Sequence, residues 1–166
     1  MKKRYLILII VFVFLCVIEV IRNTSAVHLD DVHPDIQCDE ELLSNSDIFY
    51  VIPKFHNVSI ADNLEWCSKI LAYNKTLAMH GVYHTYREFN LDRIDTYIQE
   101  GEEAFEQCFG FSPSRFKAPQ VSLSYSNALV LEEKGYTLDT LFRELFHKVY
   151  HCNDQGFYPN WVSDLI

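Results

Sequence analysis

The sequence predicts an α/β protein built on a parallel sheet or barrel, and three observations support this prediction. Short apolar segments alternate with longer segments of helical periodicity, at spacings suited to βαβ units. The apolar segments include continuous runs, such as IFYVI at residues 48–52, which are typical of strands buried on both faces. Acidic residues, histidines and an Ala-Pro turn directly follow these segments, where the functional loops of parallel sheets lie.

The composition indicates one globular domain and argues against a nucleic-acid partner. The chain has 166 residues, of which 49% are hydrophobic, with only 5 Gly and 5 Pro, so it can bury a core. The formal net charge of -9 leaves no basic stripe that could neutralise phosphates. A neutral or cationic ligand is therefore expected, and nucleic acid is not.

Residues 1–26 predict a signal-anchor or signal peptide ahead of a domain at residues 27–166. A basic start is followed by an apolar run at residues 5–21 that only Glu19 interrupts. This run fits both a short transmembrane helix and a long signal-peptide core. A cut after Ala26 would leave the new terminus immediately before the first predicted strand, so an uncleaved membrane anchor is favoured over secretion. The positive residues before the run place the domain outside the cytoplasm or in a lumen.

Four strands and five helical segments are predicted along the domain. The strands are residues 27–29, 48–52, 77–79 and 116–118. The helical segments are residues 39–43, 62–73, 90–109, 125–134 and 140–150. Asp62 and Glu65 form a capping-box pair for the second helix, and Asn90 is the expected N-cap of the third. Gly110 and Gly135 supply the expected stops of the third and fourth helices.

Four of the five cysteines lie in the domain and permit two disulfides. Cys16 falls inside the apolar run, and the other four are Cys38, Cys67, Cys108 and Cys152. In an oxidising compartment these four could form up to two bridges, but their pairing cannot be read from the sequence. Buried free thiols are the alternative, and a zinc knuckle is not expected because no C-x-x-C occurs.

Two adjacent carboxylates, Asp30 and Asp31, follow the first predicted strand. Neighbouring residues at a strand end point in different directions, so one carboxylate can bind a metal while the other faces a water. Two carboxylates this close also raise the pKa of one of them, which suits acid–base chemistry. Taken alone, such a pair is more often a solvated turn.

Two histidines, His80 and His84, follow the third predicted strand. On a helical turn, residues four apart share a face, so both imidazoles could reach the same point. Two imidazoles and one carboxylate, with positions left for water, form an open site for zinc or a similar divalent ion. His28 and His33 flank the acidic pair and are further candidate ligands. A surface pair of histidines is the common alternative explanation.

Three motifs in this order resemble the polysaccharide deacetylase superfamily, the NodB-like carbohydrate esterase domains. They are LDDV at residues 29–32, HGVYH at residues 80–84 and FKAPQ at residues 116–120. The resemblance covers about residues 27–136 and is closest to a divergent subset of the superfamily. It implies a distorted, incomplete (β/α) barrel and the metal-dependent removal of acetyl groups from N-acetylated sugars of glycans such as chitin or peptidoglycan.

The resemblance also implies roles for individual residues. The ligands of a divalent metal, zinc or another transition metal, would be Asp31, His80 and His84. Asp30 would be the general base that activates the attacking water. The substrate groove would include Pro119, Lys117 and Tyr83. The aromatic residues are more simply explained as core, although Tyr83, Tyr86, Tyr125 and Trp161 could stack on a sugar ring if they line that groove.

Two features depart from the family's pattern. An arginine near the proline commonly orients the base, whereas here Lys117 precedes the Ala-Pro turn, and a lysine cannot supply the fork geometry of a guanidinium. The family also has a late histidine, on a C-terminal strand, that protonates the leaving amine. His147 and His151 are the only late histidines, and His151 is the candidate acid. The chain stops at Ile166, so the last strands of the barrel are expected to be missing.

Three interpretations remain open from the sequence. The leading one is a deacetylase that acts on an N-acetylated carbohydrate at the outer or lumenal face of a membrane. The second is a membrane-tethered, non-catalytic remnant that binds a glycan or a metal, which a shortened barrel would favour. The third is a structural or partner-binding α/β module, which predicts no stoichiometric metal.

Overall fold

The computed structural model describes residues 2–154, 156 and 158–165 of the chain. Its strands are β1 (His28–Val32), β2 (Ile48–Val51), β3 (Lys54–Phe55), β4 (Val58–Ser59), β5 (Thr76–His80), β6 (Arg115–Lys117), β7 (Thr137–Asp139) and β8 (Val149–His151). Its helices are α1 (Lys2–Thr24), α2 (Glu40–Asn45), α3 (Leu64–Ala72), α4 (Asp95–Phe109), α5 (Tyr125–Glu133), α6 (Leu141–Glu144) and α7 (Asn160–Leu165).

Six of the strands form one parallel sheet in the order β7-β6-β5-β2-β1-β8, and β3 and β4 form a separate antiparallel hairpin. Within this sheet, the strands β1, β2, β5, β6 and β7 lie side by side in the order of the chain. β8 returns to the free side of β1, as it would in a (β/α) barrel. The sheet is curled, and within the described residues β7 and β8 do not pair. The predicted incomplete (β/α) barrel is therefore confirmed.

The two faces of the sheet differ in polarity because side chains alternate along each strand. Leu29 and Phe49 point to the outer face, where they pack with Phe105 of α4 in the largest apolar cluster. Tyr50 and Lys117 are fully buried on the inner face. The interior of the half-barrel is consequently lined in part by groups that can hydrogen-bond or carry charge.

Helix α3 begins one position later than the predicted capping box requires. Its N-cap is Asn63, whose side-chain Oδ1 accepts a hydrogen bond from the backbone N–H of Trp66 at 3.0 Å. Asp62 belongs instead to a 3-10 turn at Ile60–Asp62. The turn uses the residues that the pattern assigned to the start of the helix.

Helix α4 begins at Asp95 and not at Asn90 as predicted. The intervening segment is held as a loop by Asn127 of α5, which accepts a hydrogen bond from the backbone N–H of Arg93. The same side chain donates to two carbonyl groups, those of Phe89 and Leu91. These contacts satisfy backbone groups that a helix would otherwise use, so a distant residue overrides the local capping signal.

The segment predicted as a final helix is only one helical turn, α6, followed by the strand β8. β8 pairs with β1, with His28 opposite Val149 and Asp30 opposite His151. This pairing overrides the amphipathic pattern of residues 140–150 and supplies a C-terminal strand that the sequence analysis expected to be missing. The edge strand β7, the β3–β4 hairpin and α7 were also not predicted.

Two disulfides cross-link the domain. Cys38 is bonded to Cys152, and Cys67 is bonded to Cys108. The first bridge joins the segment after β1 to the residue after β8, and the second joins α3 to α4. Cys16 is a free, exposed cysteine on α1.

Helix α1 stands apart from the domain in composition and burial. The most apolar 18-residue stretch within Arg4–Thr24 has a mean hydropathy of 2.8, and 0% of it is buried by the rest of the fold. This helix is long and apolar enough to cross a bilayer, a property that signal sequences near an N-terminus share. At its end Arg22 is buried, and its Nη1 donates to the backbone carbonyl of Leu145 at 3.0 Å.

Candidate metal centre

A bulge in β1 turns both carboxylates of the acidic pair toward the same place. Asp31 has a φ of 61°, and the pairing of β1 with β2 shifts register between Leu29 and Val32. In a regular strand Asp30 and Asp31 would point to opposite faces, whereas a bulge re-aims one of them. The pair therefore lies within β1 and not after it, and both side chains are buried.

His80 and His84 bring their Nε2 atoms to the same carboxylate oxygen. Asp31 Oδ1 lies 3.5 Å from His80 Nε2 and 2.9 Å from His84 Nε2. One nitrogen or oxygen atom from each of the three residues falls within 4.8 Å of the other two, the only such metal-ligand cluster among the described residues. The structure thus brings together the three ligands that the sequence predicts.

The donor set fits a divalent cation. Asp31 Oδ1 is buried and accepts no hydrogen bond from the residues that the structure describes. The Nδ1 of His80 lies 3.0 Å from the backbone carbonyl of Lys117, which accepts its proton and leaves Nε2 free toward Asp31. Such a backbone partner commonly orients a metal-binding imidazole. One carboxylate and two imidazoles are ligands that suit zinc and related transition metals.

The charges at the site alter the pKa values of its groups. Burial alone would raise the pKa of Asp31, but its contacts with His151, His80 and His84 outweigh burial and lower the pKa well below the usual range. Burial alone would lower the pKa of His80, yet the carboxylates of Asp30 and Asp31 outweigh it and raise the pKa. The raised pKa of His80 therefore favours a proton at the place where a cation would stand.

The carboxylate of Asp30 is hydrogen-bonded to a fully buried lysine. Lys117 Nζ donates to both carboxylate oxygens of Asp30, at 2.8 Å and 2.9 Å. The same ammonium lies 2.5 Å from Glu144 Oε1, a residue of α6. Arg115, the arginine nearest to Lys117 in the sequence, instead donates two hydrogen bonds to Asp139, from Nε to Oδ2 at 2.6 Å and from Nη2 to Oδ1 at 3.0 Å. Lys117 therefore contacts the predicted base directly, and no guanidinium does so in the described part of the chain.

His151 lies at the end of β8, beside the metal ligands. Its Nδ1 is 3.1 Å from Asp31 Oδ2. Its backbone N–H donates to Asn160 Oδ1 at 2.8 Å, and Asn160 Nδ2 donates back to the His151 carbonyl at 2.8 Å. Burial alone would lower the pKa of His151, but the hydrogen bond with Asp31 and the charge of Asp30 outweigh it and raise the pKa. His151 lies one residue past the helical segment predicted at residues 140–150, in a strand that the sequence analysis did not predict.

The three residues predicted to line a groove occupy different environments. Lys117 is 0% exposed and lies inside the half-barrel, where its ammonium contacts Asp30. Pro119 is buried against Gly81, at the turn after β6. Tyr83 is partly exposed, and its hydroxyl donates to Glu100 at 2.6 Å. Of the three, only Tyr83 presents surface next to the metal-ligand loop.

The other histidines near the acidic pair do not reach the metal-ligand cluster. His28 is buried lower in the half-barrel, where its ring stacks on His147 with centroids 4.3 Å apart. His33 Nε2 lies 3.3 Å from the carbonyl of Val58, and its ring packs on Phe55. Both rings are thus engaged elsewhere. His56 is exposed at the hairpin turn.

Two acidic residues that the sequence analysis did not single out belong to the surroundings of the site. Glu88 accepts hydrogen bonds from three backbone N–H groups of the loop between His80 and His84. Glu144 reaches Lys117 from α6. The position of Glu88, four residues after His84, could have indicated it, whereas Glu144 depends on how α6 packs in the open side of the barrel.

Comparison with known proteins identifies the fold. No protein-family model matches the chain, and no curated protein matches it by sequence. A peptidoglycan N-acetylglucosamine deacetylase superposes with a TM-score of 0.53 at 15% identity, over 68% of this chain and 54% of that one. The chitin deacetylase of the fungal pathogen Colletotrichum lindemuthianum gives 0.51 at 18% identity, over 68% and 53%. A pseudoenzyme of carbohydrate esterase family 4 from Bacillus anthracis gives 0.50 at 10% identity, over 69% and 42%.

These similarities extend over about two thirds of this chain, between 68% and 69%. The aligned part covers about half the length of the solved chains, between 42% and 54%. Identities of 10% to 18% establish a common fold and leave activity to be argued from the site. The chain therefore adopts the polysaccharide-deacetylase fold.

Proposed function

We propose that this protein is a metal-dependent hydrolase that removes acetyl groups from an N-acetylated carbohydrate. The observation that carries the proposal is the convergence of Asp31, His80 and His84 around one buried, unbonded carboxylate oxygen. Asp30 and His151 flank this cluster within one half-barrel. The side chains of His84 and His151 are each 18% exposed, so the cluster is open to solvent on one side.

Asp31, His80 and His84 would hold the metal, and their chemistry favours zinc. A divalent ion bound there would supply Lewis-acid chemistry, which polarises an amide carbonyl and makes water more acidic. The backbone carbonyl of Lys117 keeps His80 in the tautomer that leaves Nε2 available. The buried Asp31 supplies the negative charge that a cation at this position requires.

Asp30 is the proposed general base. It would take a proton from the water that attacks the acetamide carbonyl carbon. Both Asp30 oxygens accept hydrogen bonds from the Lys117 ammonium, which fixes the orientation of the carboxylate. Lys117 is thus a positioning residue for the base, in the place where an arginine was expected.

His151 is the proposed general acid. When the carbon–nitrogen bond of the acetamide breaks, the departing sugar amine needs a proton, and acetate is the other product. Burial alone would lower the pKa of His151, but the neighbouring carboxylates outweigh it and raise the pKa, which favours the protonated imidazole that a general acid requires. Asn160 holds the backbone of His151 in place although β8 is an edge strand.

The substrate proposed for this site is a sugar chain, because aromatic rings lie next to the metal ligands. Tyr86 is two residues past His84 and 78% exposed, and Tyr83 is partly exposed one residue before His84. Exposed aromatic rings can stack on the apolar faces of sugar rings. The similar structures include deacetylases described for peptidoglycan and chitin, which supports a β-linked N-acetylglucosamine polymer as the class of substrate.

The domain at residues 27–166 is proposed to lie outside the cytoplasm, with residues 1–26 as its membrane anchor. Two disulfides within the domain support an oxidising compartment. α1 ends at Thr24, close to the amino end of β1, whereas the metal ligands lie toward the carboxyl ends of β1 and β5. The site would therefore open away from the bilayer and toward an external glycan.

A non-catalytic, glycan- or metal-binding remnant is the second candidate, and two sets of contacts favour it. A methyl group added at Gly156 would overlap the Nε2 edge of His151, so the backbone covers the ring atom opposite Asp31. In addition, both oxygens of Asp30 are engaged by Lys117. One similar structure is a pseudoenzyme, so the fold also occurs without activity.

Activity assays separate the two candidates. The full chain, in detergent and supplied with zinc, is incubated with N-acetylated chitin and peptidoglycan oligomers, and acetate and free amine are measured. We expect release of both in equal amounts, with Asp30→Asn slowing turnover by about 10²- to 10⁴-fold. Asp62→Asn, at an exposed carboxylate, is the matched control and should leave turnover unchanged. A folded, zinc-loaded protein that releases no acetate from either oligomer would support the remnant instead.

A further inference from the structure

We infer that Glu88 is a positioning residue of the metal centre, which holds the loop at residues 81–84 in the shape that aims His84 at Asp31. This inference rests on the proposed function and extends it by one residue. Glu88 lies four residues after His84 and is only 1% exposed. The relevant sequence pattern is therefore H-G-x-x-H-x-x-x-E and not the histidine pair alone.

The Glu88 carboxylate binds three consecutive backbone N–H groups of the loop. Oε1 accepts from Val82 at 3.1 Å and from Tyr83 at 2.8 Å, and Oε2 accepts from His84 at 3.1 Å. A fourth donor, the hydroxyl of Tyr97 on α4, reaches Oε1 at 2.5 Å. One side chain thus fixes the backbone of every residue from the position after Gly81 to the second histidine.

The loop needs such an acceptor because its own backbone cannot supply one. Gly81 and His84 both have left-handed conformations, with φ values of 64° and 57°. This shape rules out the helical turn that would let residues 80–84 satisfy their own N–H groups, and the predicted helical position of His84 is wrong for that reason. Buried N–H groups without an acceptor are costly, so the Glu88 carboxylate stabilises a conformation that would otherwise be unfavourable.

The packing around Gly81 shows that loop and carboxylate fit each other closely. A Cβ at Gly81 would overlap Glu88 Oε2, and it would also lie 2.7 Å from Pro119 Cγ. Only glycine fits between these two groups in the left-handed conformation. Pro119 therefore packs directly against the loop at residues 81–84 and limits the space at Gly81.

The two histidines depend on Glu88 to different degrees. His80 belongs to β5, and its ring is oriented by the carbonyl of Lys117. His84 lies outside any strand or helix, so its position depends on the loop that Glu88 holds. Loss of the Glu88 contacts should consequently impair metal binding through His84 while leaving the His80 ligand in place.

Metal affinity measured on the full chain in detergent tests the inference. Zinc dissociation constants are determined by chelator competition for the wild type, Glu88→Gln and Glu106→Gln, the last being the same change at an exposed site on α4. An amide keeps the size of Glu88 but replaces one acceptor oxygen with a donor, which would face the loop N–H groups. We expect Glu88→Gln to bind zinc about 10- to 100-fold more weakly, with the metal-free circular dichroism spectrum and both disulfides retained. Glu106→Gln should bind as the wild type does.

A double-variant cycle distinguishes positioning through His84 from a general loss of structure. In a His84→Ala background, adding Glu88→Gln should weaken zinc binding little further, because the ligand that Glu88 positions is already gone. A full additional loss there would overturn the inference, and so would wild-type affinity in Glu88→Gln. Either of those results leaves the deacetylase proposal standing, whereas a wild type that binds no zinc overturns both.

A second variant covers the case in which Glu88→Gln does not fold. Tyr97→Phe keeps the carboxylate and its three loop contacts and removes only the hydroxyl donor from α4. It should weaken zinc binding about threefold, and this loss should also vanish in the His84→Ala background. Unchanged affinity in Tyr97→Phe, or an equal loss in both backgrounds, would then overturn the inference.

Discussion

Lys117 places its ammonium nitrogen 2.8 Å and 2.9 Å from the two carboxylate oxygens of Asp30. The lysine side chain lies inside the half-barrel and is fully excluded from solvent. The same nitrogen lies 2.5 Å from Glu144, on the short helix α6. One buried cation thus joins the proposed base to the element that follows β7 at the open side of the barrel. Removing this cation would leave two buried carboxylates without their common partner.

Lys117→Met should therefore destabilise the fold strongly. An uncompensated buried charge typically costs about 3 to 5 kcal/mol, and here two carboxylates lose a partner. The free energy of unfolding is measured by urea denaturation with the disulfides intact. Lys134→Met is the matched control, because Lys134 pairs with Asp95 and Glu102 nearer the surface and should change stability by about 1 kcal/mol or less. Equal stabilities of the two variants would contradict the buried contacts of Lys117 with Asp30 and Glu144.

Glu144 should make the protein sensitive to acid. Burial alone would raise its pKa, but contacts with His28 and then Lys117 outweigh burial and lower the pKa of Glu144 from 4.5 to about 2. Because the folded-state pKa is below the unfolded value, the stability that it contributes is fully present above about pH 4.5 and is lost as the pH falls toward about 2. Glu144→Gln should flatten the dependence of the unfolding free energy on pH in this window. An acid dependence identical to that of the wild type would count against the Glu144–Lys117 contact.

Metal binding should release protons. In the metal-free site, burial would lower the pKa of His80, but Asp30 and Asp31 raise it above its ordinary value. A metal ligand must be deprotonated, so protons compete with the ion and zinc affinity should rise with pH up to that raised pKa. Calorimetric titrations in buffers of different ionisation enthalpy count the protons released. A binding enthalpy that is independent of the buffer at neutral pH would refute this prediction.

The Cys38–Cys152 bridge should contribute more stability than the Cys67–Cys108 bridge. The first spans 114 residues of sequence and the second spans 41, and a longer loop loses more entropy in the unfolded chain when it is closed. The chain-entropy estimate makes the difference about 1 kcal/mol. Double alanine variants of each bridge carry the same chemical change and serve as controls for one another. A larger loss for the Cys67–Cys108 pair would show that strain or packing dominates instead.

The proposed metal ligands could be predicted from the sequence because Asp31 and His80 lie close to apolar segments that predict strands. Asp31 and His80 belong to parallel strands separated only by β2, and the carboxyl ends of such strands converge whatever the loops do. The order of the motifs then identified the barrel. The shape of the loop to His84 was not predicted, since it depends on a side-chain carboxylate at Glu88 and not on helical propensity.

Other features depend on contacts that no local pattern records. The start of α4 is set by Asn127, which lies more than 30 residues away in sequence and hydrogen-bonds the preceding loop. The segment with His151 has an amphipathic pattern but forms β8, because pairing with β1 satisfies its backbone. Lys117 was assigned to the substrate groove from the family resemblance, whereas its burial depends on its contacts with Asp30 and Glu144.

Elemental analysis of the full chain tests whether this half-barrel is a metal centre at all. The wild type, His80→Ala and His84→Ala are compared after dialysis against zinc and then buffer, with His56→Ala as the control at an exposed turn. Circular dichroism confirms that each variant is folded. We expect about one tightly bound divalent ion per chain in the wild type and in His56→Ala, and almost none in the other two. A folded wild type that retains no ion would contradict the metal centre and, with it, the proposed hydrolase.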